Sequence, residues 1–324
     1  MSEQVLQKKG NRLGLKFIDL FAGIGGFHLA FHRAGAECVF ASEWDKYARK
    51  TYEANWRKIS PELFEKGNFA GDITLVNEEN IPDFDILTGG FPCQPFSNAG
   101  FKKGFADQRG TLFHDIVRIM KAKKPKAFFL ENVSHLLKHD EGKTFAVIQK
   151  TIEEELGYSF YYKIIRASDF GLPQHRARLF MVGFRDKKTP FSFPDPIKLT
   201  QTMSDIFGGK CEKKIGYTLR VGGRGSGISD RRNWDSYLVD GKVQKLTPVE
   251  GKRMMGFSEE FVFPVSSAQA MKQLGNSVAV NAIHAVAKQI INSLELYAER
   301  KQRRVERVLR VPQNFVRREA VCSQ

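Results

Sequence analysis

The stretch Leu15–Gly35, LKFIDLFAGIGGFHLAFHRAG, decides the architecture that the rest of the chain follows. Leu15 to Phe21 has the apolar, β-prone composition of a buried strand. Gly23, Gly25 and Gly26 predict a tight turn, and Phe27 to Ala34 carries helical periodicity up to a stop at Gly35. Strand, glycine turn and helix together form a cradle for a nucleotide-type cofactor. Glycines let the ligand approach the backbone, and the helix N-terminus attracts its anionic group. Such a turn recurs in many dinucleotide folds, so its meaning depends on what surrounds it.

The next strand, Cys38–Ser42, ends at Glu43-Trp44-Asp45. An acidic residue at that place can accept hydrogen bonds from both ribose hydroxyls. Trp44 beside it can stack on an adenine, or can simply pack in the core. Asp45 to Asn55 continues as a helix. Gly71-Asp72-Ile73 follows a loop and a short extended segment and would edge the same pocket. A turn aspartate capping the backbone is an equally good reading of Asp72.

A second stretch, Asp85–Ser97, reads DILTGGFPCQPFS. Asp85 to Thr88 ends a short apolar strand, and Gly89-Gly90 with Pro92 and Pro95 forces a loop. Cys93 at its centre sits where an α/β enzyme would keep a nucleophile, just past a buried strand on a stiff loop. A lone cysteine there is more often a small buried hydrophobe; the company it keeps reverses those odds. Lys102 to Arg109 suits a flap, and Thr111 to Lys124 a helix. Ala127 to Leu130 is a buried strand ending in Glu131-Asn132-Val133, and a carboxylate there is costly unless paired or functional. Pro173 to Arg178 then precedes the strand Leu179–Gly183, and alternation sends Arg176 and Arg178 to one face of extended chain.

From about Asp186 periodic helices disappear and prolines cluster. Residues 187–262 are expected to form a smaller, loop-rich, mostly β unit, with hairpin chemistry at Asp240-Gly241. Its glycines would let backbone approach DNA, and Arg220, Arg224, Arg231 and Arg232 can meet phosphate or guanine edges. Residues 1–186 and 263–324 would form the other, larger domain. In it Gln273 to Asn281 opens a helix running to about Glu299, whose apolar positions want the first domain's core. Lys301 to Arg318 is a basic tail.

Across the 324 residues, 51 Lys and Arg against 36 Asp and Glu leave a net charge of +15, a footprint of polyanion partners, nucleic acid first. No apolar run approaches the ~20 residues needed to cross a bilayer. The opening MSEQVLQKKGNR has no apolar core and is not read as a secretory signal. Cys38, Cys93, Cys211 and Cys322 lie far apart with no CxxC pair, against a disulfide framework or zinc site and for a reducing cytosol. The pairs His28/His32 and His135/His139 lack a third ligand at obvious spacing, so no metal is expected.

Read in order, FAGIGG, GFPCQPFS, ENV, QHRAR and GNSVAVN resemble the DNA cytosine-C5 methyltransferases, bacterial modification enzymes especially. The likeness covers nearly all of residues 15 to 297. It implies an α/β fold of the class I S-adenosylmethionine-dependent, Rossmann-like type: a catalytic domain on a seven-stranded mixed sheet, facing a small target-recognition domain across a DNA cleft. One departure is Val249, which stands where an arginine is common.

The resemblance also implies a reaction. Cys93 would add to C6 of a flipped cytosine, Glu131 would protonate or hydrogen-bond N3, and Arg178, with Arg176, would hold the exocyclic oxygen. C5 would then take the methyl group of S-adenosylmethionine. That cofactor would lie along Phe21, Ala22, Gly23 and Gly25, with Glu43 on the ribose, Trp44 and Ile73 flanking the adenine and Asp72 on its amino group. Asn276 and Ser277, with Leu112, would close the site. Phe91, Pro92, Gln94 and Ser97 would serve the flap and the substrate DNA. The expected partners are double-stranded DNA and a cognate restriction endonuclease system, with no membrane, for a monomer in the bacterial cytoplasm that associates with the nucleoid through DNA.

Four other readings stand beside it, one of them a non-catalytic DNA-binding relative, which would be expected to lose the nucleophile or the acid, and both are present. An NAD-binding oxidoreductase would use the glycine turn and Glu43 but leaves PCQ, ENV and QHRAR unexplained. A zinc cytosine deaminase needs HxE and PCxxC, and no second cysteine follows Cys93 at that spacing. A relative that methylates a tRNA cytosine by the same chemistry is separated only by assay.

Overall fold

The computed structural model describes residues 13–92 and 112–309. Its frame is one sheet of seven strands: β1 Lys16–Leu20, β2 Glu37–Ser42, β3 Phe69–Ala70, β4 Ile86–Gly90, β5 Ala127–Val133, β6 Tyr161–Arg166 and β7 Ala177–Phe184. Their order is β3-β2-β1-β4-β5-β7-β6, and only β7 is reversed, antiparallel to both β5 and β6. The seven-stranded mixed sheet is therefore the one expected. Helices follow as α1 Gly26–Arg33, α2 Lys46–Trp56, α3 Pro61–Glu65, α4 Leu112–Lys123, α5 Lys143–Lys150, α6 Met203–Phe207, α7 Pro248–Met255, α8 Ser267–Asn276 and α9 Val280–Leu309.

Neighbouring strand residues point to opposite faces, and the core divides accordingly. Phe17 and Phe129 join one apolar layer, which includes Phe31 of α1 and Ile283, Val286 and Ile290 of α9. Ile18 and Phe128 join the other, with Ile116 of α4 and Ile148 of α5. The chain runs outward from β1 to β3, then returns to β4 on the other side of β1. That reversal leaves a crevice beyond the carboxyl ends of β1 and β4, where an open α/β sheet binds its ligands. None of the described helices is long and apolar enough to cross a membrane.

The glycine turn forms where expected, but one glycine serves another purpose. Gly25 has φ +87°, and a Cβ there would lie 2.1 Å from Trp56 Nε1. The indole is held by its own hydrogen bond to Ile24 O (3.1 Å) and by stacking on His28 at 4.3 Å. The close approach at Gly25 is thus to α2, not to a ligand. Gly25→Ala is expected to cost about 2–4 kcal/mol, overpacking added to the positive-φ penalty. Gly23→Ala, at φ +56° with nothing within 4 Å of the added atom, should cost only about 1 kcal/mol. Urea unfolding of both variants checks this, and equal midpoints would refute it.

Two expectations about helices are corrected. The segment Gln273–Asn281 does not open one helix. α8 ends at Asn276, and α9 begins at Val280 and runs to Leu309, well past Glu299. Nor are helices absent after Asp186. Within residues 187–262, α7 starts at a capping box in which Thr247 and Glu250 satisfy each other's backbone donors, with Pro248 in the first turn. Val249 is 45 % exposed there, so the residue type at that position is not set by packing. The strand content of this loop-rich segment is one hairpin, β8 Ser236–Val239 and β9 Lys242–Lys245, turned by Asp240 (φ +49°) and Gly241 (φ +73°). Its buried Trp234, Tyr237 and Met254 join the same apolar layer as α1 and α9.

Candidate active site

A cleft of about 750 Å³ opens in that crevice, and residues from the carboxyl ends of β1, β2, β3, β4 and β5 line it. Phe21 and Gly23 follow β1, and Phe21 holds φ +56°, an uncommon angle for a residue with a side chain. Glu43 follows β2. Its Oε2 accepts from Gly23 N and its Oε1 from Asp45 N, both at 2.7 Å. These two donors fix the carboxylate on the cleft wall while each oxygen keeps a further lone pair. Burial raises its pKa, and the same hydrogen bonds oppose that rise.

Trp44 is 81 % exposed, so core packing does not account for it; it offers an uncovered indole face to the cleft. Ile73 is buried against the same wall. Asp72 satisfies both of its readings. It lines the cleft, and its Oδ1 also caps the turn, accepting from Thr74 N (3.0 Å) and Thr74 Oγ1 (2.9 Å). Leu112 of α4 and Asn276 of α8 complete this side. Ala22, Gly25 and Ser277 are not among the lining residues. The amide of Gly25 donates to Ala22 O at 2.8 Å, and the carbonyl of Ser277 accepts from Arg176.

A second group of charged residues lines the cleft from β5 and β7. Glu131 on β5 is buried and its Oε1 lies 3.0 Å from Arg178 Nε, an ion pair whose N–H is not aligned for a good hydrogen bond. Desolvation raises the Glu131 pKa, outweighing the guanidinium groups of Arg178 and then Arg176 that pull it down. Arg176 is buried and already committed. It donates to Leu219 O (3.1 Å), Gly275 O (3.0 Å) and Ser277 O. Burial and the neighbouring Arg178 lower its pKa to about 9, which still leaves it cationic at neutral pH. Its hydrogen bonds make it a clamp joining three segments, while its Nε, on the cleft wall, has no partner among the described residues.

Two residues before Arg176, Gln174 is buried outside the cleft lining. Gln174 donates to Met254 O and accepts from Leu219 N, each at 3.1 Å, tying segment 187–262 to the sheet. Asn132, which the sequence did not single out either, does line the cleft. Its Nδ2 donates to Phe91 O at 2.8 Å, pinning the end of β4 beside β5. The only sequence signal for either was its place in QHRAR or ENV.

Phe91 and Pro92 line the cleft, and Gly90 pairs directly with Glu131 across the sheet. Cys93, Gln94 and Ser97 lie outside the described residues. Of the four arginines assigned to DNA, Arg220 lines the cleft. Arg224 is tied to Asp235 (3.4 Å) and Leu246 O (2.7 Å), and Arg232 to Asp230 (2.8 Å). Arg231 is exposed and away from the cleft lining.

The family model for C-5 cytosine-specific DNA methylases matches residues 15–222 and 221–292. The type II methyltransferase M.SsoII of Shigella sonnei is 46% identical over 319 residues, covering 86% of this chain and 81% of that protein. M.HhaI of Haemophilus parahaemolyticus, another type II methyltransferase, is 41% identical over 322 residues, covering 87% and 95%. The solved structure of the Entamoeba histolytica methyltransferase EhMeth superposes with a TM-score of 0.64 at 18% identity, covering 87% of this chain and 99% of its own, a likeness of fold.

Proposed function

The chain belongs to the C-5 cytosine-specific DNA methylase family and is a DNA cytosine-5-methyltransferase, and we propose from that premise that it methylates a flipped cytosine through a transient Cys93–C6 bond. The observation that supports this most is Glu131. A buried carboxyl that holds its proton above the usual carboxylate range stands on the cleft wall, in register with the residue from which the Cys93 loop departs.

Cytosine C5 is a poor nucleophile and is out of reach inside a duplex, so the base has to be extruded at a cost of a few kcal/mol. The Cys93 thiolate adds its electron pair to C6. The pair displaced onto the ring is accommodated when Glu131 donates its proton, or a hydrogen bond, to N3. Arg178 supplies positive charge beside the same group. Arg176 acts through its three carbonyl partners, holding β7 against the Asn276 turn and the recognition segment. The electron-rich C5 then forms its new bond to carbon. Transfer of the C5 proton to a base restores the C5=C6 bond and expels the Cys93 thiolate, and N3 returns its proton to the Glu131 carboxylate.

Bound S-adenosylmethionine would supply the electrophilic methyl group on a sulfonium, whose sulfur would leave as a neutral thioether. The residues present fit it, since the cleft offers a fixed carboxylate at Glu43 for ribose hydroxyls and an uncovered indole at Trp44 for a purine. Asp72 and Ile73 frame the same end. Residues 1–186 with 263–324 are assigned to catalysis and cofactor binding, and 187–262 to target recognition within a short duplex site. A restriction endonuclease of matching specificity, a monomeric state and a bacterial cytoplasmic setting belong to the same proposal.

Methyl transfer from labelled S-adenosylmethionine to duplex DNA and to tRNA, run side by side with base-resolution mapping of 5-methylcytosine, tests this reading. Label in one short recurring DNA sequence is the expected result. Label in tRNA alone would sink it.

A further inference from the structure

Helix α9 outgrows the body it helps to build. Its first half is core, with Ile283, Val286, Ile290 and Ile291 buried. It starts at the cleft, because Asn276 lines that wall and Val280 follows four residues later. A second landmark fixes its direction: the hydroxyl of Tyr297 donates to Asp186 Oδ2. Asp186 lies just past Phe184, which pairs with Ala127 at the amino end of β5, whereas Arg178 pairs with Val133 at the carboxyl end. The helix therefore runs the height of the sheet away from the cleft, about 25 Å from Val280 to Tyr297 at 1.5 Å per residue.

Beyond Tyr297 the helix continues to Leu309, past the end of the family match at residue 292. Arg300, Lys301, Arg303 and Arg304 are all exposed there. Positions 300, 303 and 304 share one face of a helix. Of the acidic residues on this stretch, Glu306 already accepts from Gln302 at 3.2 Å.

We infer that this guanidinium face is a second, sequence-independent surface for duplex DNA, engaging a segment other than the one whose base enters the cleft. Guanidinium forks match phosphate oxygens, and on a preformed helix only the side chains, not the backbone, have to be ordered on binding. A straight duplex threaded through the cleft would have to bend sharply to reach the opposite end of the sheet, and such bending is costly. Duplex DNA is favoured over other polyanions because the enzyme acts on it, so the choice of partner rests on the activity argued above. Holding a second segment would keep the enzyme on one DNA molecule between turnovers.

The test uses the full chain, as wild type and as the triple variant Arg300→Gln, Arg303→Gln, Arg304→Gln, with a cytosine-free poly(dA)·poly(dT) duplex of about 30 base pairs. Each phosphate that is no longer neutralised lowers the slope of log K against log salt by about 0.9. The variant is thus expected to show a slope smaller by about 2–3 and an affinity at least tenfold weaker at low salt. Light scattering should give one protein copy with two duplexes for the wild type and one duplex for the variant. Turnover on cytosine-containing DNA should be unchanged. Equal slopes, two protein copies per complex, tighter binding of RNA of the same length, or loss of turnover in step with binding would each overturn the inference. Parallel methyl-transfer assays separate it from the activity itself, because a wild type that methylates no DNA would still report its salt slope.

Discussion

Cys93→Ala is expected to abolish methyl transfer, a fall of roughly 10⁴-fold or more in kcat, and to abolish covalent capture of DNA that carries 5-fluorocytosine at the target. The argument is electronic. Once C6 is bonded to sulfur and C5 has been methylated, the sulfur can leave only if C5 gives up a proton. Fluorine at C5 cannot leave as a proton does, so the wild type should stay bonded to such DNA through denaturing electrophoresis. The two described thiols make poor substitutes. Cys38 is buried, and burial holds its thiol well above the ordinary range. Burial likewise raises the thiol of Cys211, and neither residue lines the cleft. Cys38→Ala and Cys211→Ala should therefore still be trapped. Equal trapping by Cys93→Ala, or none by the wild type, would remove Cys93 from the mechanism.

How far the sequence foretold this site depended on the range of the interaction involved. Apolar composition marked Leu15–Phe21 and Ala127–Leu130 as buried strands, a local property, but which layer Phe17, Ile18, Phe128 and Phe129 each join came only with the fold. Alternation put Arg176 and Arg178 on one face, but it carries no information about depth. Only the fold shows that Arg176 ends on three carbonyls and Arg178 on Glu131. The break between α8 and α9 was illegible for a similar reason. It falls at Ser277–Ala279, where nothing in the sequence marks a stop, while Gly275 sits inside α8 because a Cβ would meet the backbone of Arg220 at 2.6 Å. Gly25 is glycine on account of Trp56, thirty-one positions away. The start of α7 was legible in Thr247-Pro248-Val249-Glu250 and was outweighed by the prolines that precede it.

Glu131→Gln is expected to lower kcat by about 10²–10⁴-fold, the usual worth of a positioned general acid, while the affinity for DNA changes by less than about threefold. Glutamine keeps the size and can still hydrogen-bond N3, but it cannot transfer a proton to it. The loss therefore falls on the step in which charge develops. The pH dependence follows from the raised pKa. Desolvation favours the protonated carboxyl, so the stability this group contributes is fully present below the unfolded-state value and is lost as pH rises through the higher folded-state value. Across that window wild-type stability should decline with pH, and the glutamine variant, which does not ionise, should lack that component. The same proton is the one delivered to N3, so the wild-type rate should also lose its acid form as pH rises through the folded-state value. Replacing Arg178 by methionine removes the strongest opposing charge and should move both transitions to higher pH together. If Glu131→Gln turns over like the wild type, or if stability and rate shift in opposite directions in Arg178→Met, the proton comes from elsewhere and Glu131 is only the partner that keeps Arg178 in place.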